Sequence, residues 1–157
     1  MLNPGEREAA QRSRARARMA EDRDDAALAD AALRNEMRFE TAFFRAGGLL
    51  TGGADPTGAG FVIAGFGDQR ELELLVEAGL TVPEAVRVMT LNGAVSLNRT
   101  DRVGTIAPGK SADLILLDGD LTANPAVIEK PLIVFQDGIG YDSAAIVDSL
   151  RGTVGGG

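Results

Sequence analysis

Between residues 28 and 46 apolar side chains return at helical spacing. Leu33, Met37 and Phe44 fall near one face, with Phe39 and Phe43 beside them. Gly47-Gly48 is a natural stop, because glycine takes the left-handed conformation that closes a helix. The pattern then shortens: residues 49–54 read Leu-Leu-Thr-Gly-Gly-Ala, apolar or small throughout, as in a strand that ends at Asp55-Pro56. Proline disfavours the helical region for the residue before it, so Asp55 is expected to be extended. Residues 56–67 are glycine-rich and read as a long loop. A second helix is expected over 68–78, with Asp68 and Glu71 at capping-box spacing and Leu72, Leu75, Val76 and Gly79 recurring on one face. A third opens at Thr81-Val82-Pro83-Glu84, another capping box with proline in its first turn. Its apolar face would hold Val82, Ala85, Val86, Met89 and Gly93.

After Asn98 the pattern becomes that of strands. Pro108-Gly109 is a type II turn signal, since proline presets the first central residue and glycine supplies the positive φ of the second. Residues 112–117, apolar apart from Asp113, read as a strand closed by Asp118-Gly119, and residues 132–135 as another, closed by the hairpin-type turn Asp137-Gly138. Residues 144–150 read as a short terminal helix before a glycine tail. The chain therefore divides into a polar segment 1–27, a helix–strand–helix region 28–98, a β-rich segment 99–142 and a terminal helix with its tail, 143–157. One strand flanked by helices cannot form a sheet by itself, so residues 49–54 call for strands from elsewhere.

Composition narrows the chemistry. The chain has 45% hydrophobic and 25% charged residues, with only 4% aromatic, so its core must be built from aliphatic side chains. It has no cysteine and no histidine, which removes thiolate sites, the commonest general base and the commonest transition-metal ligand. Hydrolytic chemistry carried by this chain alone would rest on carboxylates, hydroxyls, Lys and Arg. A net charge of −7 argues against a general affinity for nucleic acid or anionic membranes. No aromatic residue interleaves with the arginines of residues 11–18, so that run reads as a solvated segment. No apolar stretch approaches the roughly 20 residues that span a bilayer, and a cytoplasmic location is the default expectation.

Residues 101–118, DRVGTIAPGKSADLILLD, carry a resemblance. Gly104, Ile106, Gly109, Lys110, Ala112, Asp113, the aliphatic run 114–117 and Asp118 resemble the segment where amidohydrolase-superfamily enzymes leave their catalytic barrel and enter a small β-sandwich. Upstream, residues 71–94 are similar to the last barrel helix and the helix after it. Downstream, Ile133-Val134-Phe135-Gln136-Asp137-Gly138 resembles the final sandwich strand. The likeness runs from about residue 28 to 142, and is nearest to imidazolonepropionase-like and dipeptidase-like members.

This resemblance implies an α/β fold: the C-terminal fragment of a metal-dependent (β/α)8 barrel, with its last strand and helices, plus part of a small β-sandwich. It implies hydrolysis of non-peptide carbon–nitrogen bonds, amide or cyclic amide, in an intact enzyme holding a zinc-like divalent metal. One site position carries over. Asp55 matches the acid at the end of the eighth barrel strand, and so would ligate metal and shuttle a proton from the attacking water to the leaving group. Ala54 stands where threonine is frequent. The remaining ligands, largely histidines in such enzymes, have no counterpart here, so this chain alone is expected to bind no metal and to be inactive. Its partner would be the missing N-terminal barrel segment or further copies of itself, with a small amide-type molecule as substrate. The alternative is a non-catalytic structural or partner-binding module derived from the same C-terminus. Lys110 and Asp113 are expected to fix turns, Glu71 to cap its helix and Glu73 to lie on the solvent face.

Overall fold

A computed structural model describes residues 5, 8, 11, 12, 23–56, 62 and 65–152 of the chain. Most of the polar segment 1–27, the centre of the glycine-rich loop and the glycine tail lie outside the described residues. The first long helix, α1 (Arg23–Arg45), begins five residues earlier than the apolar pattern suggests. Met37, Thr41 and Phe44 form its half-buried stripe, and Leu33, Phe39 and Phe43 stay exposed. At its end Gly47 takes φ +89°, which lets the Gly48 amide reach the Phe43 carbonyl and the Gly47 amide that of Phe44, a Schellman closure.

Helix α2 (Gly67–Glu77) and helix α3 (Val82–Arg87) meet at a corner. Gly79, at φ +106°, closes α2 in the same Schellman geometry, and Leu80 then turns inward. The capping box expected at Thr81 is present from the glutamate side: Glu84 Oε2 accepts from the Thr81 amide and hydroxyl, each at 2.8 Å. Helix α3 runs into a π turn (Val88–Asn92) and then α4 (Gly93–Ser96). The inner face of Val82 and Ala85 continues through the π turn, where Val88 and Asn92 are buried, and on to Ala94. Met89 is half-buried.

The core sits in this helical block. Leu72, Leu75, Leu80, Ala85 and Val88 are buried together with Ile128, which comes from a 3₁₀ turn (Pro125–Glu129) laid against α2. Phe44, Leu50, Met89, Leu117 and Leu121 pack around them. Arg45 ties α1 to the α2–α3 corner, bonding Glu84 and, at 3.3 Å, the Gly79 carbonyl.

The β-rich segment forms one antiparallel sheet of three short strands, β1 (Leu114–Leu116), β2 (Ile133–Gln136) and β3 (Ile139–Asp142), in that order. Leu114 faces Phe135, and Phe135 faces Gly140. The turn at Asp137-Gly138 has positive φ at both positions, +47° and +82°, as a two-residue hairpin of matching twist demands. Gly109, at φ +87° with Lys110 N–H bonded to the Ala107 carbonyl, completes the expected Pro108-Gly109 turn. Only three residues of the run 112–117 enter the ladder. Asp113 spends its side chain on the Asp137 amide at 2.8 Å, and Lys110 Nζ donates to Thr105 Oγ1 at 2.6 Å, so both fix turns as expected. Helix α5 (Ser143–Ser149) follows, capped by Asp142, whose carboxylate accepts from the Ala145 amide.

Residues 49–54 depart from expectation: they form no strand. A strand exists only as part of a ladder, and the sheet of the described residues lies elsewhere. Three of their backbone groups, the Leu50 carbonyl and the Gly53 and Ala54 amides, bond side chains instead.

Candidate functional site

Residues 49–56 cross the face of α2 and the π turn, and Asp55 stands exposed near the end of that crossing. Three side chains hold it there. Asn92, the one polar residue of the buried set and 3% exposed, donates from Nδ2 to the Leu50 carbonyl at 2.7 Å. Its Oδ1 accepts from Arg87 Nε at 3.3 Å. Glu71 turns both carboxylate oxygens to the Gly53 amide, each at 3.0 Å. Asp68 Oδ1 accepts from the Ala54 amide at 3.1 Å.

The contact is close. A Cβ on Gly52 would overlap Met89 Sδ and lie 3.1 Å from Glu71 Oε1, so only glycine fits this crossing as it stands. Beside it, Asn35, Glu36, Phe39, Glu40 and Phe43 of α1 line, with Leu50, an open groove of about 590 Å³. Burial pushes the Glu71 carboxyl up from its ordinary value. The Gly53 amide partly opposes this, while the charges of Asp68 and Glu40 add to it.

Three expectations need correcting. Asp68 and Glu71 do not cap α2: Phe66 occupies the N-cap without a side-chain bond, and both carboxylates face the neighbouring segment. The spacing that suits a capping box also puts two acceptors on one side of the first turn, and the free amides of Gly53 and Ala54 compete successfully for them. Asp55, in turn, is not extended. Its φ is +37°, a left-handed backbone that Asp tolerates better than most residues. With its neighbour Ala54 pinned by Asp68, the chain turns sharply into Pro56. Glu73 also leaves the solvent face, pairing with Arg70 at 2.6 Å with its side chain 12% exposed.

Asn92 was not singled out by the sequence pattern. Its signal is a lone amide at helical spacing from Ala85 and Val88, on the same inner face.

Among the described residues no three Asp, Glu, His or Cys side chains come together as a metal would require. Asp68 and Glu71 are already engaged with backbone amides. The described residues thus offer Asp55 as a single carboxylate, short of the three or four ligands a bound transition metal usually takes. None of the described helices is long and apolar enough to cross a membrane.

Residues 51–140 match the amidohydrolase family. Over 41 residues the chain is 54% identical to the imidazolonepropionase of Bacteroides fragilis, a match covering 26% of this chain and 10% of that enzyme. A Xaa-Pro dipeptidase crystallised with methionine in its active site superposes with a TM-score of 0.50 at 32% identity, over 54% of this chain and 21% of that one. The crystal structure of an amidohydrolase gives a TM-score of 0.58 at 24% identity, over 68% of this chain and 25% of its own. These matched stretches span between a tenth and a quarter of the relatives' lengths. The family match begins inside the pinned crossing, runs through α2, α3 and the π turn, and ends in β3, taking in more than half of the 157 residues; the chain belongs to the amidohydrolase family.

Proposed function

We propose that this chain is the C-terminal portion of a metal-dependent amidohydrolase barrel that cleaves amide or cyclic-amide bonds, with Asp55 as its strand-8 acid. The observation that carries the reading is the place of Asp55. It sits exposed where the family match begins, at the outer end of a segment whose inner end is bonded to buried Asn92. In a completed barrel residues 49–54 would lie between neighbouring strands and Asp55 at the strand ends, where barrel active sites are built. The exposed Leu33, Phe39 and Phe43 of α1, with the adjoining groove, would then be covered by the N-terminal barrel segment or by another copy.

Family enzymes depend on a metal to activate the attacking water. Asp55 would contribute one carboxylate to such a centre, and the other ligands would come from barrel strands that the described residues do not provide. The role of Asp55 itself is proton transfer. Its carboxylate takes a proton from the attacking water and returns it to the leaving nitrogen, so the same group serves both halves of the hydrolysis.

The test is to co-express the chain with an upstream barrel segment of the family and compare it with Asp55→Asn. Asparagine keeps the shape and loses the basic site, so turnover of an amide or cyclic-amide substrate should fall by roughly 10² to 10⁴. Asp113→Asn, a change at a sheet turn, should cost far less. Unchanged turnover in Asp55→Asn would remove Asp55 from the chemistry.

A further inference from the structure

The crossing that ends in Asp55 has no strand beside it among the described residues, yet three of its backbone groups bond side chains of the helical block, besides the local Leu50 amide to Gly48 carbonyl bond. Asn92 takes the Leu50 carbonyl, Glu71 the Gly53 amide and Asp68 the Ala54 amide. The three come from two stretches of the helical block, the first turns of α2 and the last residue of the π turn. Two features make this more than local bonding. The partners lie 14 to 42 residues from the groups they hold, and the absence of a side chain at Gly52 lets the crossing sit directly on Met89 and Glu71. The last held amide, that of Ala54, immediately precedes the left-handed Asp55.

We propose that Asp68, Glu71 and Asn92 are positioning residues that set the location and backbone conformation of Asp55 from the helical side, an inference that rests on Asp55 being the site acid. A barrel strand is normally held by ladders on both edges. Here the helix beneath adds a grip of its own, and it acts on the last residues before the acid, where a strand end has fewest ladder partners. Two of the three grips are carboxylates accepting from backbone amides, the stronger class of hydrogen bond. The conformation of Asp55 is therefore fixed before any neighbouring strand arrives.

The experiment uses this chain as it stands. Amide hydrogen exchange and the HN–Hα coupling of Asp55 are measured by NMR in the wild type, Asp68→Ala, Glu71→Ala, Glu71→Gln and the double alanine variant. In the wild type the Gly53 and Ala54 amides should be protected. Asp68→Ala should speed exchange at Ala54, and Glu71→Ala at Gly53, each by about tenfold, the effect of losing one hydrogen bond. Glu71→Gln retains an acceptor oxygen and should stay near the wild type. The double variant should move the Asp55 coupling toward that of an unstructured peptide while the Val88 amide stays protected. Should that variant also lose protection at Val88, the single variants carry the test through their selectivity. Gly53 and Ala54 amides that exchange as fast in the wild type as in the variants would overturn the inference. So would an Asp55 coupling unmoved in the double variant. Turnover of Asp55→Asn in the completed enzyme judges the catalytic reading separately, and neither result can stand in for the other.

Discussion

Residues 49–54 and strand β1 are both short non-helical stretches rich in aliphatic side chains, and the chain satisfies their backbones by different means. β1 bonds β2 through the ladder Leu114–Phe135, Ile115–Val134 and Leu116–Ile133. Residues 49–54 bond the side chains of Asn92, Glu71 and Asp68. In burial they differ less: Leu50 packs against the core cluster of Leu72, Leu75 and Val88 but Leu49 is 47% exposed, while the sheet leaves Ile115 at 56% and Ile139 at 61%. A ladder is made by backbone alone and survives exposed side chains. A crossing held by side chains is only as firm as the helices that present them, so its stability is borrowed from the block beneath.

The largest effect should come from weakening that block. Leu75→Ala removes a buried side chain shared by the core beneath Leu50, and should cost about 2–5 kcal/mol, measured by urea unfolding. Ile115→Ala, on the exposed side of the sheet, should cost well under half as much. Exchange at Gly53 and Ala54 should rise in Leu75→Ala and stay unchanged in Ile115→Ala. Equal costs at the two positions would mean that sheet and crossing unfold as one unit and that the contrast is false.

Asn92→Ala comes next. It leaves the Leu50 carbonyl without its 2.7 Å donor and frees Arg87 Nε, an orphaned group worth about 1–3 kcal/mol. The same measurement on Asp113→Ala, which frees the Asp137 amide at the exposed hairpin turn, should give a smaller loss because water can replace the lost partner. A neutral Asn92→Ala would show that this buried amide does not hold the crossing.

Much of the architecture was legible because it depends on neighbours in sequence. The end of α1 at Gly47, the Thr81–Glu84 box and the turns at Pro108-Gly109 and Asp137-Gly138 are set by one or two residues each, whereas Gly79, read as part of a helix face, closes α2. What could not be read depends on distant partners. The apolar run 49–54 has the composition of a strand but no ladder among the described residues, and Asp68 and Glu71 serve amides 14 and 18 residues away in place of their own helix. Asn92 falls on the inner face of Ala85 and Val88 by helical period, but its partner, the Leu50 carbonyl, lies 42 residues away. Asp55 was singled out by the family resemblance and not by its place before Pro56, and its left-handed backbone was not foreseen, since the residue before a proline is ordinarily extended.

The smallest effect, and the finest probe of the contrast, is the dependence of stability on pH. Glu84 belongs to the helical block, and its carboxyl is held at about 2, first by the Arg45 guanidinium and then by the Thr81 amide and hydroxyl. A carboxylate with a lower pKa in the folded chain stabilises it above the ordinary value of 4.5, and that contribution is lost as pH falls toward 2. Glu71 belongs to the crossing and has the opposite sign. Burial raises its pKa, so its contribution is fully present below 4.5 and is lost as pH rises through the folded value. Melting temperature followed by circular dichroism should therefore climb slightly as neutral solution is acidified toward pH 4.5, then fall on further acidification. Glu71→Gln should flatten the upper limb alone, and Glu84→Gln the lower limb alone. Were Glu84→Gln to show the wild-type drop between pH 4.5 and 2, the Arg45–Glu84 pair would not be what holds α1 to the corner. Were Glu71→Gln to leave the upper limb unchanged, Glu71 would not be buried against the crossing in solution, and the side-chain grip on residues 53 and 54 would lose its strongest member.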